Sequence, residues 1–260
     1  MKLIIPIAGN HNEFIKVFRT AKELILFDNE YFLQKILNQF SSLRINEIII
    51  ICKKRDYQNF SYKKKFKFKN SKISFFTLNQ KTFNQLKTVQ FLNNKISKNE
   101  KILIINPDSF YKFNFYQFQK ILDNIKIDGA ISYIQQKDYS FINGYKEVFT
   151  KKKNKVDEVF LKVDISKEKL NQNIFITGGF YYFKKWSYLL EYFDAKKKYI
   201  NNKNLSFISI YDYLIKSKKN ISSFALKNFI DLGTPNKIIE YFFWNKYFNN
   251  LSKLKNKIYF

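Results

Sequence analysis

Gly9 closes a short apolar run, Leu3-Ile4-Ile5-Pro6-Ile7-Ala8. It opens a polar stretch, Asn10-His11-Asn12-Glu13, followed by Lys16, Arg19 and Lys22. A strand that ends in glycine and enters a loop of amides and cations can cradle phosphate, because glycine lets an anion approach the bare backbone. The same residues also fit an ordinary strand and surface loop. Asp108 follows a second apolar run, Lys101 to Ile105, and Asp231 stands in Asp-x-Gly-Thr-Pro. Either carboxylate could simply cap a turn. Asn84 and Gln85 open a predicted helix, where amides can hydrogen-bond a nucleobase or cap the helix itself. His11 is the only histidine, and a lone loop histidine is usually structural or incidental. No Ser-His or Cys-His arrangement suggests a covalent nucleophile.

These groups need elements to hold them. The runs Leu3 to Ile7, Ile48 to Cys52, Ile73 to Leu78, Lys101 to Ile105 and Gly129 to Gln135 read as strands. The continuous apolar character of the second predicts burial on both faces. Helical spacing predicts helices over Tyr31 to Phe40, Thr82 to Ile96 and Phe115 to Ile125, with a short helix and a loop within 56–70. Strand alternating with helix argues for a mostly parallel sheet with right-handed crossovers. Ligands of such sheets sit beyond the carboxyl ends of the strands, which predicts Gly9 and Asp108 on one rim. From Phe141 to Val163 the pattern alternates around a turn at Lys151 to Lys155, as an antiparallel insertion over that rim would. Phe175 to Phe183 reads as a strand interrupted by Thr177-Gly178-Gly179, where glycines mark close approach of a ligand or another backbone. Helices at Trp186 to Phe193 and Ile208 to Lys216 follow, then a strand at Ile221 to Phe229. A last helix, Lys237 to Phe248, is predicted with Thr234 as N-cap and Pro235 at its first position.

Composition bounds the function classes. At 260 residues, 45% of them hydrophobic, the chain can bury a sizeable core. Its apolar runs fall far short of the ~20 residues that span a bilayer, so no membrane insertion is expected. The N-terminal run is broken by Pro6, unlike a signal peptide, and Cys52 is the only cysteine. A cytoplasmic protein without disulfides is the expectation. The formal charge of +26 would suit nucleic acid. Lysine is abundant together with Asn, Ile, Phe and Tyr, however, as AT-rich codons dictate. The runs at 63–65, 151–153 and 196–198 are scattered in predicted loops and helix ends. A small anionic substrate, and not nucleic acid, is the expected partner. No repeat or linker divides the chain, so one domain is expected over 1–260.

Four collinear segments carry a resemblance. They are Ile4-Ile5-Pro6-Ile7-Ala8-Gly9 with Ala21-Lys22-Glu23-Leu24-Ile25; Ile104-Ile105-Asn106-Pro107-Asp108-Ser109; Val156 to Lys162 with Thr177-Gly178-Gly179-Phe180-Tyr181-Tyr182-Phe183; and Ile230-Asp231-Leu232-Gly233-Thr234-Pro235. Together they resemble the sugar-1-phosphate nucleotidyltransferases over nearly the whole chain. The resemblance implies a Rossmann-like α/β domain with a nucleotide-binding half, 1–125, and a sugar-binding half, 126–260. It implies joining of a nucleoside triphosphate to a sugar 1-phosphate, giving a nucleotide-activated sugar for surface polysaccharide (capsule or lipopolysaccharide) and pyrophosphate. Mg²⁺ would be held by Asp108 and Asp231, and the catalytic residues would be Lys22, Asp108 and Lys162. Ala8, Gly9, Asn10, His11, Lys16, Arg19, Asn84 and Gln85 would bind the nucleotide, and Gly144, Thr177, Gly178 and Gly179 the sugar. Bringing two polyanions together calls for such cations and a metal. A non-catalytic relative binding a nucleotide or sugar phosphate, or a glycosyltransferase of similar sheet architecture, are the alternatives.

The chain departs from the family pattern in its first loop. The family's Gly-x-Gly-x-Arg is here Gly9-Asn10-His11-Asn12-Glu13, so a carboxylate replaces a guanidinium. At an effective dielectric of about 20, like charges about 4 Å apart repel by ~4 kcal/mol. Either Glu13 points away and Lys16 or Arg19 supplies the charge, or triphosphate binding is impaired. Asn84 stands for the family's helix-opening Gly, and Leu161 for the Glu before the sugar-site Lys. The base, the sugar and the oligomeric state are not encoded in these motifs.

Overall fold

The computed structural model describes residues 1–69, 71–79, 82, 84–135, 145–164, 174–197 and 205–258. In chain order, β1 (Lys2–Pro6) leads to α1 (Asn12–Phe18), a 3₁₀ turn (Lys22–Leu24), a small hairpin of β2 (Leu26–Phe27) and β3 (Glu30–Tyr31), and α2 (Phe32–Asn38). Next come β4 (Glu47–Lys53), α3 (Lys54–Asn59), α4 (Tyr62–Lys65), β5 (Lys72–Leu78), α5 (Gln85–Gln90), β6 (Ile102–Ile105), β7 (Ser109–Phe113) and α6 (Phe115–Asp123). The rest is β8 (Gly129–Ile134), β9 (Tyr145–Lys152), β10 (Lys155–Asp164), β11 (Ile174–Phe183), α7 (Ser187–Ala195), α8 (Phe207–Lys216), β12 (Ile221–Asp231) and α9 (Pro235–Ile258).

Apart from the β2–β3 hairpin, the strands form one mixed sheet in the order β5-β4-β1-β6-β11-β8-β12-β10-β9, with β7 paired to β12. The pairs β4–β5, β1–β4, β1–β6 and β8–β12 are parallel, while β11 runs antiparallel between β6 and β8. Because β1 and β6 are parallel neighbours, with Ile4 opposite Ile104, the loops after Ala8 and Ile105 leave from the same edge. β9 and β10 form the antiparallel insertion.

The apolar runs are continuous because each strand feeds two cores. Leu3 and Ile5, Ile48 and Ile50, Leu103 and Ile105 pack with α2, α6 and the start of α9 on one face. Ile4, Ile49, Ile51, Ile102 and Ile104 pack with α5, α7 and α8 on the other. Alternate side chains point to opposite faces, so a strand covered on both sides has no polar positions to show.

Several elements differ from expectation. The polar stretch after Gly9 contains α1, a helix anchored by buried Phe14, with Phe18 one turn on packed against the same core. α5 is shorter than its predicted helix; the chain continues in turns that still bury Leu92 and Ile96. β7 is an added strand whose alternation, with Ser109 and Tyr111 buried, is too brief to stand out in sequence. α9 runs well beyond Phe248.

Candidate functional site

The turn after β6 and the end of β12 bring Asp108 and Asp231 together. β7 begins directly after Asp108 and pairs antiparallel with β12, placing Ser109 opposite Asp231. The Leu232 N–H then donates to the Asp108 carbonyl at 2.7 Å. Both carboxylates border the space over Gly233. A Cβ there would meet Asp231 Oδ1 at 3.1 Å and Asp108 Oδ2 at 3.9 Å. Asp231 Oδ1 accepts the Gly233 N–H at 2.9 Å, tying the carboxylate to its own turn. The start of α9 is closed by Thr234, whose Oγ1 accepts the Lys237 N–H at 3.5 Å.

Electrostatics favour an ionised Asp231. Burial pulls its carboxyl up, but the hydrogen bonds from Lys237 Nζ and the Gly233 N–H, with the charges of Lys237 and Lys146, outweigh burial and hold it below the usual range. Lys237 Nζ pairs directly with Asp231 Oδ2. Asp108 keeps Oδ2 toward the shared space while Oδ1 accepts from the Ser109 hydroxyl at 3.1 Å. Two hard carboxylate oxygens around one pocket of space fit a Mg²⁺ ion that takes its other ligands from phosphate and water. Among the described residues no group of three or more His, Cys, Asp or Glu side chains could hold a metal.

The first loop lies on the same edge and is built differently. Nothing comes within 4 Å of a Cβ placed on Gly9, so its backbone stands open. Ala8 is buried in the core, leaving only its backbone for a ligand. Asn10 is exposed and its Oδ1 accepts the Asn12 N–H at 3.2 Å. His11 turns inward and is 5% exposed. Its Nδ1 lies 3.6 Å from Glu23 Oε2 and its Nε2 3.5 Å from Asp56 Oδ2. Lys53 Nζ pairs with Asp56 at 2.9 Å, and the Tyr62 hydroxyl donates to Glu23 at 3.5 Å. Burial, followed by the charges of Glu23 and Asp56, pushes the neighbouring Cys52 thiol up to about 12, which leaves it protonated and inert. Glu13 is exposed in the first turn of α1.

The cations of this region divide. Lys22 is half-buried, its Nζ 5.6 Å from the Phe14 ring centroid and 5.8 Å from that of Phe32. Lys16 is exposed on α1. Arg19, left-handed with φ 57°, ends α1 and lines a cleft of about 650 Å³ with Tyr31, Phe60, Lys64 and Lys65. Neither Gly9 nor the carboxylate pair lines that cleft. Asn84 caps α5, its Oδ1 accepting the Lys87 N–H at 2.7 Å, and Gln85 is the first residue of that helix.

On the other side, β11 bulges between Thr177 and Tyr181. Gly179, with φ 74°, lies against Asn106, and its carbonyl accepts the Asn106 N–H at 2.8 Å. Gly179 therefore borders the turn that carries Asp108. At Gly178 a Cβ would sit 2.4 Å from a Leu226 methyl, so packing alone demands glycine there. Thr177 is half-buried. Gly144 and the Lys162 side chain lie outside the described residues; the Lys162 backbone belongs to β10. Three charged groups escaped the reading of the sequence. Lys146 acts on Asp231 from β9, Lys237 acts on it from α9, and Glu147 accepts from the Tyr181 hydroxyl at 3.3 Å. Lys146 and Glu147 are consecutive residues in an alternating strand, which is the one sequence signal that they face different surroundings.

The chain belongs to the nucleotidyl transferase family, whose profile matches residues 18–244, a span that begins beyond the Gly9 loop. Among solved structures it is similar to a UDP-glucose pyrophosphorylase complexed with UDP-glucose, with 12% identity, TM-score 0.70, and 96% of this chain and 98% of that one covered. A nucleoside-diphosphate-sugar pyrophosphorylase from Vibrio cholerae RC9 matches with 17% identity, TM-score 0.68, and 92% and 98% covered. The inositol-1-phosphate CTP transferase from T. maritima gives 10% identity, TM-score 0.65, and 91% and 90% covered. At these identities the likeness is one of fold. No curated protein matches the sequence.

Proposed function

We propose that this protein transfers a nucleotidyl group from a nucleoside triphosphate to a sugar 1-phosphate, releasing pyrophosphate and a nucleotide-activated sugar of the kind used in surface-polysaccharide assembly. One observation carries the reading: Asp108 and Asp231, remote in sequence, converge over Gly233 on the edge that also bears the open Gly9 backbone. Family membership supports the general reaction.

In this reading an oxygen of the sugar phosphate attacks the α-phosphorus, and the bond to the β-phosphate oxygen breaks as pyrophosphate departs. Mg²⁺ held by Asp108 and Asp231 would supply positive charge to the reacting phosphates. The chain's own residues do the rest. The backbone at Gly9 and Asn10 accommodates the triphosphate, and Lys22, backed by Phe14 and Phe32, neutralises it. Glu13 stays in solvent at the head of α1, so it need not oppose the phosphates. Gly179, against Asn106, and Thr177 border the place of the sugar, and Lys162 holds its phosphate. Lys237 must leave Asp231, or share it, as the site fills.

The test is pyrophosphate release over a panel of nucleoside triphosphates and sugar 1-phosphates with Mg²⁺. Turnover of at least one pair, lost in Asp108→Asn, is the expected result. A binding-only relative is the second reading, favoured by the His11 side chain lodged beneath the loop. Saturable nucleotide binding with no pyrophosphate from any pair would establish it.

A further inference from the structure

Exposed apolar side chains are scattered over most of this molecule but concentrated on α9. Of the fourteen large exposed hydrophobic residues among those described, five lie between 239 and 248: Ile239, Phe243, Trp244, Tyr247 and Phe248. They are between 46% and 61% exposed. The opposite side of the helix is the one that docks, through buried Ile238 and through Tyr241 and Phe242 packed on Phe27. α9 thus has an inner apolar line and an outer one. Ile239, Phe243 and Tyr247 recur every four residues on the outer line. Trp244 ties the patch together, its ring centroid 5.3 Å from Phe243, 5.8 Å from Tyr247 and 5.9 Å from Phe248.

We propose that the outer face of α9 seats this protein on an anionic lipid surface, with the helix lying in the interface. Charge selects this occupant. Beyond Lys237, which pairs with Asp231, the helix sequence contains Lys246, Lys253, Lys255 and Lys257 against the single acid Glu240. The whole chain carries +26. A second copy of this face would set two lysine-rich helices side by side, whereas anionic headgroups supply the missing counter-charge. Aromatic rings combined with lysine are the composition that partitions into the headgroup boundary. No described helix is long and apolar enough to cross a membrane, so the attachment is to the surface.

The protein contains its own reporter. It has two tryptophans, and Trp186 is fully buried in the core while Trp244 is 46% exposed. The full chain is mixed with vesicles of phosphatidylcholine alone or of equal phosphatidylcholine and phosphatidylglycerol, with and without acyl-chain bromination. The expected result is cosedimentation with the anionic vesicles, a blue shift, and quenching by brominated lipid that vanishes in Trp244→Phe. The doubly substituted Phe243→Ser, Tyr247→Ser protein keeps every lysine and should partition roughly tenfold more weakly, since its lost apolar area no longer leaves water. Thermal melting of this variant confirms that its fold is kept; should it fail to fold, bromine quenching of the wild-type protein decides alone. Absence of quenching overturns the proposal. So does a folded double variant that binds like wild type, which would reduce the effect to diffuse lysine charge. A concentration-dependent dimer lost in that variant would show that a second copy covers this face.

Discussion

Two pairs of carboxylates stand beyond the ends of the central strands, and they have opposite surroundings. Glu23 and Asp56 are each 2% exposed and are matched from within by His11, Lys53 and the Tyr62 hydroxyl. Asp108 and Asp231 are half-buried and border a shared open space, with Lys237 paired to Asp231 and Lys146 acting on it. Residue type does not separate the pairs. Burial and the origin of the partners do: the first pair finds its partners within the fold, and the second leaves charge for a ligand to neutralise.

The largest expected effect tests the closed pair. His11→Leu leaves Glu23 with the Tyr62 hydroxyl and Asp56 with Lys53 and Arg55, and breaking such a buried arrangement costs on the order of 3–5 kcal/mol. Urea unfolding of wild type and variant measures it. A midpoint unchanged within error would mean that the imidazole fills space and does not compensate charge.

The open pair should respond in reverse. Asp108→Asn is expected to reduce nucleotidyl transfer by about 10²- to 10³-fold, the scale for loss of one organising electrostatic group, with little change in unfolding. If the variant instead loses stability and keeps its turnover, Asp108 belongs with the structural carboxylates. Lys22→Ala is expected to lower the rate by about 10²-fold, because the lost ammonium neutralises charge that grows during the reaction. Its flank of Phe14 and Phe32 is retained, so binding of a neutral nucleoside should be unaffected. An equal loss of nucleoside binding would argue for a packing role.

Glu147 is a third kind of carboxylate, half-buried against a tyrosine hydroxyl. Burial raises its pKa more than the hydrogen bonds to it lower it. A raised folded-state value means that its contribution to stability is present below the ordinary carboxylate pKa and is lost as pH rises through the folded value. Glu147→Gln removes that loss, so the melting temperature of the variant should gain on wild type between about pH 4 and pH 7. Parallel melting curves over that interval would show that the carboxyl titrates normally in the fold.

Much of this arrangement was readable in the sequence, and the unreadable parts share a cause. The run at 48–52 announced a doubly covered strand, and Asp-x-Gly-Thr-Pro announced the turn and cap at 231–235, because each signal is local. The approach of Asp231 to Asp108 depends on β7, which pairs with a strand far along the chain. The inward turn of His11 was not legible because its partners, Glu23 and Asp56, come from two other elements and carry no sequence mark of burial. α1 was hidden because it is short and only Phe14 of its apolar residues is buried, with Val17 left exposed. Gly178 and Gly179 looked alike in sequence, yet one is demanded by Leu226 and the other by a positive φ beside Asn106.

The smallest effect bears on the altered loop itself. Glu13 occupies the place where the family pattern has arginine, but its side chain is exposed and sits in the first turn of α1, where a negative charge is favourable. In solvent its repulsion of a bound triphosphate is screened within a Debye length of about 8 Å at physiological salt. Glu13→Arg should therefore tighten triphosphate binding, or leave it unchanged, by no more than about threefold, with the difference shrinking as salt is added. Isothermal titration with a non-hydrolysable triphosphate at two ionic strengths measures this directly. A gain of a hundredfold that survives high salt would place Glu13 against the phosphates and contradict its exposed position. Loss of all turnover on Glu13→Ala would contradict it in the other direction, because a carboxylate that merely stands in solvent has no rate to lose.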